Sequence, residues 1–216
     1  MAKSVTEALN ARRSTRAFLS APIEREKLDA VLEAAARTPS WANSQPWEVF
    51  VAAGGALDRI RKAYGEKYAQ KAKSAPETPR PAQWTEAAVQ RREQLQAGMV
   101  RDCGEAYKQF GELNKAMFHA PAVIYICMDK VLSEWSLYDI GAYTQSVMLA
   151  ADEQGLATIP AVTLVLFPDV LKQELKIPES LKLTIGIAIG YADKANGINN
   201  FVSGRKTLEE TVRYFE

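Results

Sequence analysis

The sequence predicts an α+β fold in which helices pack around a small sheet. Segments with helical periodicity outnumber the four or so strand-like segments, and the two kinds do not alternate as in a doubly wound α/β protein. Of the 216 residues, 47% are hydrophobic and 25% are charged, which is typical of a soluble globular protein. We therefore predict one domain over residues 1–216, long enough to bury a core without disulfides or structural metals.

The N-terminal quarter predicts two helices and one strand. Ser4 and Glu7 have the spacing of a capping box, which predicts a helix running to about Arg12. A second helix is expected after Pro22, where apolar residues recur at the helical period. It should end near Thr38, because the following proline disfavours helical geometry in the residue before it. A strand is expected at residues 47–53.

The middle of the chain predicts a helical excursion from the sheet. Residues 54–118 are highly charged, and three prolines, Pro76, Pro79 and Pro81, lie close together within them. We expect one or two amphipathic helices joined by a proline-rich bend. At the other end, an arm at about residues 207–216 carries apolar side chains. These must pack on the body of the protein or on a second subunit.

The remaining segments predict three strands and two helices. Apolar, β-branched runs at residues 122–129 and 183–191 are typical of buried strands, and a shorter strand is expected at residues 159–165. Ser136 with Asp139 is expected to cap a long apolar helix that ends near Gly155. A small helix is expected at residues 170–175.

Composition excludes several classes of protein. The 27 Lys and Arg residues nearly balance 26 Asp and Glu residues, which argues against a nucleic-acid binder. The N-terminal segment has no apolar signal core, and no apolar run is long enough to span a membrane, so we expect a cytoplasmic protein. Cys103, Cys127 and His119 are too few for a metal site or a Ser-His-Asp triad, and we interpret all three as structural. Any chemistry is therefore expected to come from an organic cofactor.

A first candidate binding cluster lies at the end of the first predicted helix. Arg12, Arg13, Ser14 and Arg16 place three cations and a hydroxyl within five residues. Guanidinium groups match phosphate oxygens bidentately, so this cluster can hold a phosphate without a glycine-rich loop, and neither a Rossmann fingerprint nor a P-loop is present. The alternative is a solvated basic helix end, favoured by the helix dipole.

A second candidate cluster is the segment from Pro39 to Trp47. Ser40, Asn43 and Gln45 offer donors and acceptors that suit the edge of a flat heterocycle, and prolines stiffen the turn on both sides. The alternative is an ordinary polar loop with two tryptophans packed on the core.

Taken together, the string R-R-S-x-R followed by P-S-x-x-N-S-Q-P-W before a strand resembles the FMN-dependent nitroreductase family. The resemblance covers essentially the whole chain and includes I-P-A-V at residues 159–162, Gly190-Tyr191 and Arg205. It implies a mostly antiparallel sheet flanked by helices and an intertwined homodimer. It also implies two FMN molecules at the subunit interface and NADH or NADPH as electron donor.

The resemblance also implies roles for individual residues. Arg12, Ser14 and Arg205 match positions that hold the FMN phosphate, and Arg13 and Arg16 match positions near the pyrimidine edge of the flavin. The segment that reaches the cofactor, in part from the partner subunit, corresponds to Pro39, Ser40, Asn43 and Gln45. The turn beside the isoalloxazine ring corresponds to Pro160, Ala161 and Val162, where the backbone N–H of Val162 is expected near the flavin N5 atom. No side chain is expected to act as a nucleophile.

The sequence departs from the family pattern at two places. Ser203 stands where the family often has a basic residue, so a hydroxyl is expected to replace a cation at the phosphate. Val162 and Thr163 stand where the family commonly has Glu-Gly, which leaves only a backbone role there. The aromatic residues expected to line the substrate pocket are Trp41, Tyr68, Trp84, Phe110 and Phe118.

The predicted function is NAD(P)H-dependent reduction of nitroaromatic compounds, and of quinones as a further class, by a ping-pong hydride transfer on FMN. Small aromatic electron acceptors would then be the substrates, and no nucleic acid, membrane or metal partner is expected. Two alternatives stay open: a flavoenzyme on the same scaffold with another acceptor (dehalogenation, ene or flavin reduction), and a module that binds FMN without turnover.

Overall fold

The computed structural model of the protein describes residues 4–216, so the first three residues of the polar N-terminal segment lie outside it. The helices are α1 (Val5–Ala11), α2 (Arg25–Ala35), α3 (Gly54–Ala69), α4 (Glu86–Cys103), α5 (Phe110–Lys115), α6 (Glu134–Glu153), α7 (Pro168–Leu175) and α8 (Leu208–Thr211). The strands are β1 (Glu48–Ala53), β2 (Ala122–Asp129), β3 (Ala157–Ala161) and β4 (Leu181–Gly190). Short 3-10 turns cover Trp41–Asn43, Gly104–Gln109, Met117–His119, Val162–Val165 and Gly197–Asn199.

The four strands form one antiparallel sheet in the order β1-β2-β4-β3. The predicted α+β fold with an antiparallel sheet flanked by helices is therefore confirmed. The strands β1 and β3 form its edges, and the register between β2 and β4 shifts at Ile126 and Cys127. Pro160 lies in the edge strand β3, where the missing N–H of proline is tolerated.

Helices cover both faces of the sheet. Successive residues of β2 alternate between two hydrophobic cores: Val123 and Tyr125 pack with residues of α3 and α7, whereas Ile124 and Ile126 pack with residues of α2 and α6. Because both faces are buried, β2 reads in the sequence as a continuous apolar run rather than an alternating one. The sequence prediction of this strand at residues 122–129 matches the observed bounds.

Two local predictions are wrong. The helix α6 begins after Ser133, so Ser136 and Asp139 lie inside it and are buried instead of capping it. The predicted strand at residues 159–165 ends at Ala161, and the next residues form a 3-10 turn. This turn packs directly on β4 at Gly186. A Cβ added to Gly186 would lie only 2.6 Å from the Leu164 Cβ. Only glycine at that position admits the close approach.

The excursion contains three α-helices, α3, α4 and α5, where one or two were expected, and its proline-rich bend is fixed to the sheet. The carboxylate of Glu77 accepts a hydrogen bond from the backbone N–H of Leu183 at 2.8 Å and pairs with Lys172 at 2.8 Å. The following helix α4 buries only its last part, through Gly98, Met99 and Cys103.

The C-terminal arm does not bury its apolar side chains against the body of the single chain. The arm forms the short helix α8 with a capping box between Thr207 and Glu210. Tyr214 is 77% exposed and Phe215 is 94% exposed. In the single chain these two side chains therefore do not pack on the body of the protein.

Within residues 4–216, no helix combines the length and the apolar character needed to cross a lipid bilayer.

Candidate functional site

The cluster that follows α1 lies beside the edge of the sheet. The helix α1 begins with the predicted capping box of Ser4 and Glu7 and ends at Ala11. The next residues run along β3: the backbone N–H of Thr15 donates to the carbonyl of Thr158 at 3.0 Å, and Ser14 forms a parallel bridge to the same residue. The arginine cluster is therefore anchored next to the strand that contains Pro160 and Ala161.

The C-terminal loop reaches the same place through Asn199. Its side-chain Oδ1 accepts hydrogen bonds from the backbone N–H groups of Arg16 at 2.7 Å and Ala17 at 3.2 Å. Its Nδ2 donates to the carbonyls of Ala17 and Asp193, both at 2.9 Å. Sequence reasoning missed this residue, because one asparagine in a polar loop carries no distinguishing signal.

These contacts bring the two ends of the chain together at one cleft of about 230 Å³. The sequence-predicted residues that line it are Arg12, Arg13, Ser14, Arg16, Ser203 and Arg205. The walls between them come from Leu9, Asn10, Phe201 and Val202. Residues almost two hundred positions apart in the sequence thus share one small polar cleft.

The cleft concentrates positive charge without carboxylate partners. Among the described residues 4–216, none of its arginines forms an ion pair. Arg205 donates to the Ser203 hydroxyl at 2.7 Å and to nearby carbonyls, and Arg16 donates to the carbonyl of Ser14 at 3.0 Å. Burial lowers the pKa of the Arg16 guanidinium, which nevertheless stays charged at neutral pH. Arg12 and Arg16 are partly buried, whereas Arg13 and Arg205 are exposed. A cluster of cations of this kind is able to bind an anion.

A larger cleft of about 900 Å³ shares the Arg12–Ser14 segment with the first one. It is lined by Arg12 and Arg13, by Asn199 and by Tyr191, which follows β4. The Tyr191 hydroxyl accepts a hydrogen bond from the Lys27 ammonium at 2.8 Å, so this wall is tied to α2.

The segment from residue 39 to 47 does not line either of these clefts. It forms a tight turn in which Ala42, Asn43 and Gln45 have positive φ angles. The turn is held by a hydrogen bond from the Gln45 N–H to the Ser40 hydroxyl at 2.9 Å, and by one from the Trp41 N–H to the buried Asp139 carboxylate at 3.1 Å. The Gln45 Nε2 donates a hydrogen bond to the Asn43 Oδ1 at 3.2 Å, and both side chains are exposed.

The turn after β3 places backbone N–H groups at the sheet edge. Val162 begins a 3-10 helix, and the first N–H groups of a helix have no intrahelical acceptor. Its side chain is half exposed. Pro160 and Ala161 are partly buried in the same strand that borders the arginine segment.

The aromatic residues predicted for a substrate pocket are scattered. Phe118 is 1% exposed and belongs to the core, and Tyr68 packs edge-on against Phe167 with ring centroids 5.4 Å apart. Phe110 stacks on Tyr107. Trp84 is half exposed beneath the guanidinium of Arg92, and Trp41 is 68% exposed beside Trp135. None of the five lines either of the two clefts described above.

The residues interpreted as structural offer no competing chemistry. Cys103 and Cys127 are buried free thiols, and burial raises the pKa of the Cys127 thiol to about 12. Among residues 4–216, no group of three or more His, Cys, Asp or Glu side chains is placed to hold a metal ion.

The Nitroreductase family profile matches residues 9–191, which is most of the chain. The chain therefore belongs to the Nitroreductase family, and the resemblance read from the two clusters is confirmed. Its relatives are named as nitroreductases, which indicates an oxidoreductase.

Two curated relatives align over nearly their full length. The chain is 29% identical to Nitroreductase NfnB of Mycolicibacterium smegmatis, over 99% of this chain and 94% of that protein. It is 30% identical to a chloronitrobenzene nitroreductase of Comamonas testosteroni, over 97% of this chain and 96% of that protein.

Two solved structures share the fold closely. The FMN and NADPH-dependent nitroreductase NfnB from Sphigopyxis sp. strain HMH superposes with a TM-score of 0.92 at 28% identity, covering 99% of this chain and 100% of that one. The FMN-dependent NfnB from Mycobacterium smegmatis, solved in complex with NADPH, superposes with a TM-score of 0.89 at 28% identity, covering 98% and 97%.

Proposed function

We propose that this chain is an FMN-dependent oxidoreductase that uses NAD(P)H to reduce nitroaromatic compounds, with quinones as a second class of acceptor. The observation that carries the proposal is the cleft of unpaired arginines assembled from both ends of the chain. It lies beside β3 in a chain whose relatives include an FMN and NADPH-dependent nitroreductase. An anionic cofactor tail fits such a cleft, because guanidinium groups bind phosphate oxygens in pairs.

In this proposal the cleft residues bind the phosphate. Arg12, Ser14 and Arg205 hold its oxygens, and Ser203 contributes a hydroxyl where relatives of this type often place a cation. Arg12, Arg13 and Ser14 line both this cleft and the 900 Å³ cleft, so the two clefts adjoin at this segment.

The flavin ring is proposed to lie along the edge strand β3. Bound FMN would supply the redox chemistry, namely hydride transfer from the nicotinamide to the acceptor. Arg13 and Arg16 face the pyrimidine edge, where a fixed guanidinium stabilises the negative charge that reduction creates. Pro160 and Ala161 border the ring, and the backbone N–H of Val162 donates toward N5. No side chain of this chain forms a covalent bond to the substrate.

The site is proposed to be completed by a second copy of the chain in an intertwined homodimer. Pro39, Asn43 and Gln45 are exposed, Ser40 is partly buried, and none of the four lines the arginine cleft of its own chain. We propose that this segment reaches the cofactor of the partner subunit. Trp41 and Trp84 expose aromatic surface that could stack on a flat acceptor. The exposed C-terminal arm would pack on the partner.

An absorption spectrum tests the proposal. The purified protein should be yellow or take up FMN, lose its flavin absorbance when NAD(P)H is added without oxygen, and regain it when a nitrobenzene derivative is added. NAD(P)H and acceptor should occupy the site in turn, which predicts parallel lines in double-reciprocal plots. A protein that cannot be loaded with FMN contradicts the proposal.

The alternatives predict different outcomes. A flavoenzyme with another acceptor would be reduced by NAD(P)H but reoxidised faster by a quinone, an activated alkene, a halogenated aromatic or free flavin than by a nitroaromatic. Stopped-flow reoxidation with such a panel separates these cases. A module that only binds FMN would show no steady NAD(P)H consumption with any acceptor.

A further inference from the structure

We propose that Asn199 is a positioning residue that fixes the backbone of Arg16 and thereby aims its guanidinium into the cleft. This inference rests on the proposed function in one respect, namely that the cleft receives the phosphate and pyrimidine edge of FMN. The geometry that carries it belongs to this chain alone. Asn199 follows Ile198 in the Gly197–Asn199 turn and is far from Arg16 in sequence.

The side-chain amide of Asn199 uses its full hydrogen-bonding capacity, mostly on the backbone of Arg16 and Ala17. Its oxygen can accept two hydrogen bonds and its nitrogen can donate two, and all four are made. Three of the four go to Arg16 and Ala17, and the fourth goes to Asp193 in its own loop. One rigid planar group therefore clamps the peptide units on either side of the Arg16–Ala17 bond.

The side chain of Arg16 is oriented from a second direction by Phe201. The guanidinium carbon lies 5.8 Å from the centroid of the Phe201 ring, within the range of a cation–π contact. Phe201 is buried, and an edge of its ring meets α4 at Gly98, where an added Cβ would come within 3.0 Å of the ring. The ring therefore has little room to move toward α4.

Together these contacts leave the guanidinium few orientations. With no carboxylate to hold it, its direction is set by the backbone clamp at Asn199, by the ring of Phe201 and by its hydrogen bond to the Ser14 carbonyl. Preorganised cations stabilise developing charge because they need not reorganise during the reaction. Loosening the clamp should therefore weaken both the affinity for FMN and the stabilisation of the reduced flavin.

The first test measures the clamp directly by amide hydrogen exchange of the full-length chain. In Asn199→Ala, the amides of Arg16 and Ala17 should exchange faster than in the wild type, because they lose their acceptor. The amides of Thr15 and Phe18 serve as internal references, since they donate to the carbonyls of Thr158 and Phe118. Unchanged exchange at Arg16 and Ala17 contradicts the inference, whether or not FMN binds.

The second test compares FMN affinity and the midpoint potential of the bound flavin. Asn199→Ala should weaken FMN binding by about tenfold, equivalent to ~1.4 kcal/mol, and shift the potential to a more negative value. Asn196→Ala is the matched control, because it removes an amide from the same loop that bonds the Ile198 N–H and does not touch Arg16. The control should leave the potential unchanged.

The outcomes separate the two proposals. A wild-type chain without affinity for FMN contradicts the proposed function, while the exchange rates still decide the role of Asn199. Wild-type affinity and potential in Asn199→Ala, or equal losses in Asn196→Ala, overturn the inference. If Asn199→Ala does not fold, Asn199→Ser, which keeps a short polar side chain, takes its place with the same criteria and a smaller expected loss.

Discussion

Arg205 enters the cleft from a loop that it also stabilises, since its guanidinium bonds the Ser203 hydroxyl and the carbonyls of Ser203 and Gly204. If it also binds the FMN phosphate, Arg205→Ala should weaken FMN binding by ~10–100-fold, from the ~1.5–3 kcal/mol of a charge-assisted hydrogen bond. Fluorescence titration of flavin measures the affinity. Lys206→Ala is the control, because it removes the same charge from the next residue, which lies outside the cleft. Equal losses of FMN affinity in both variants would mean that only the net charge matters.

Cys127 provides a prediction for alkaline pH. Burial raises its pKa from 9.0, the ordinary value for a thiol, to about 12 in the fold. The folded state therefore holds the thiol proton more tightly, and the free energy of unfolding should fall as pH rises through this window, by up to ~1.4 kcal/mol per pH unit for this group. Denaturant unfolding between pH 8 and pH 10 should show a shallower fall in Cys127→Ala than in the wild type. If the free energy of unfolding falls equally with pH in both proteins, the loss of stability at alkaline pH comes from other groups.

At the scale of elements, the fit of the 162–165 turn on β4 depends on Gly186. Gly186→Ala should lower the free energy of unfolding by ~1–3 kcal/mol, because its Cβ would overlap Leu164. Gly111→Ala is the matched control, since nothing lies within 4 Å of its Cβ, and in a helix it should stabilise by ~0.5–1 kcal/mol. Urea denaturation of both variants measures the difference. Equal changes in the free energy of unfolding of the two variants would mean that the turn shifts to admit the Gly186→Ala methyl group without loss of stability.

Element prediction from the sequence succeeded where the signal is local. The capping box of Ser4 and Glu7 satisfies its own helix end, and β2 is recognisable because both faces are apolar. It failed where a tertiary contact overrides the local pattern. Aspartate is a common helix cap, but Asp139 lies inside α6, where its carboxylate accepts a hydrogen bond from the Trp41 N–H. The strand predicted over residues 159–165 breaks after Ala161 because the chain turns onto Gly186.

The candidate site shows the same division between local and distant information. Arg12, Arg13, Ser14 and Arg16 form a recognisable string, and Arg205 was found only through the family pattern. Asn199 is recognised only in three dimensions, because its importance comes from the distant backbone that it bonds. The aromatic residues of the excursion carried no positional signal, and the structure places Phe118 in the core.

At the scale of the whole molecule, the exposed C-terminal arm predicts assembly. Exposed apolar groups such as Phe215 are costly in a monomer, and most of the turn at residues 39–47 is also exposed. If the proposed homodimer forms, removing residues 208–216 should weaken it and release bound FMN. Sedimentation and flavin content of the truncated protein measure both properties. A truncated protein that stays dimeric and fully loaded with flavin would show that the arm is dispensable.

The central claim is that one phosphate is held between the two ends of the polypeptide. A crystal structure of the chain with FMN tests it most directly, because the phosphate position is visible without any assumption about turnover. We predict the phosphate within hydrogen-bond distance of Arg12, Ser14 and Arg205, with the ring along β3. A phosphate bound elsewhere, with those side chains facing solvent, would contradict the account.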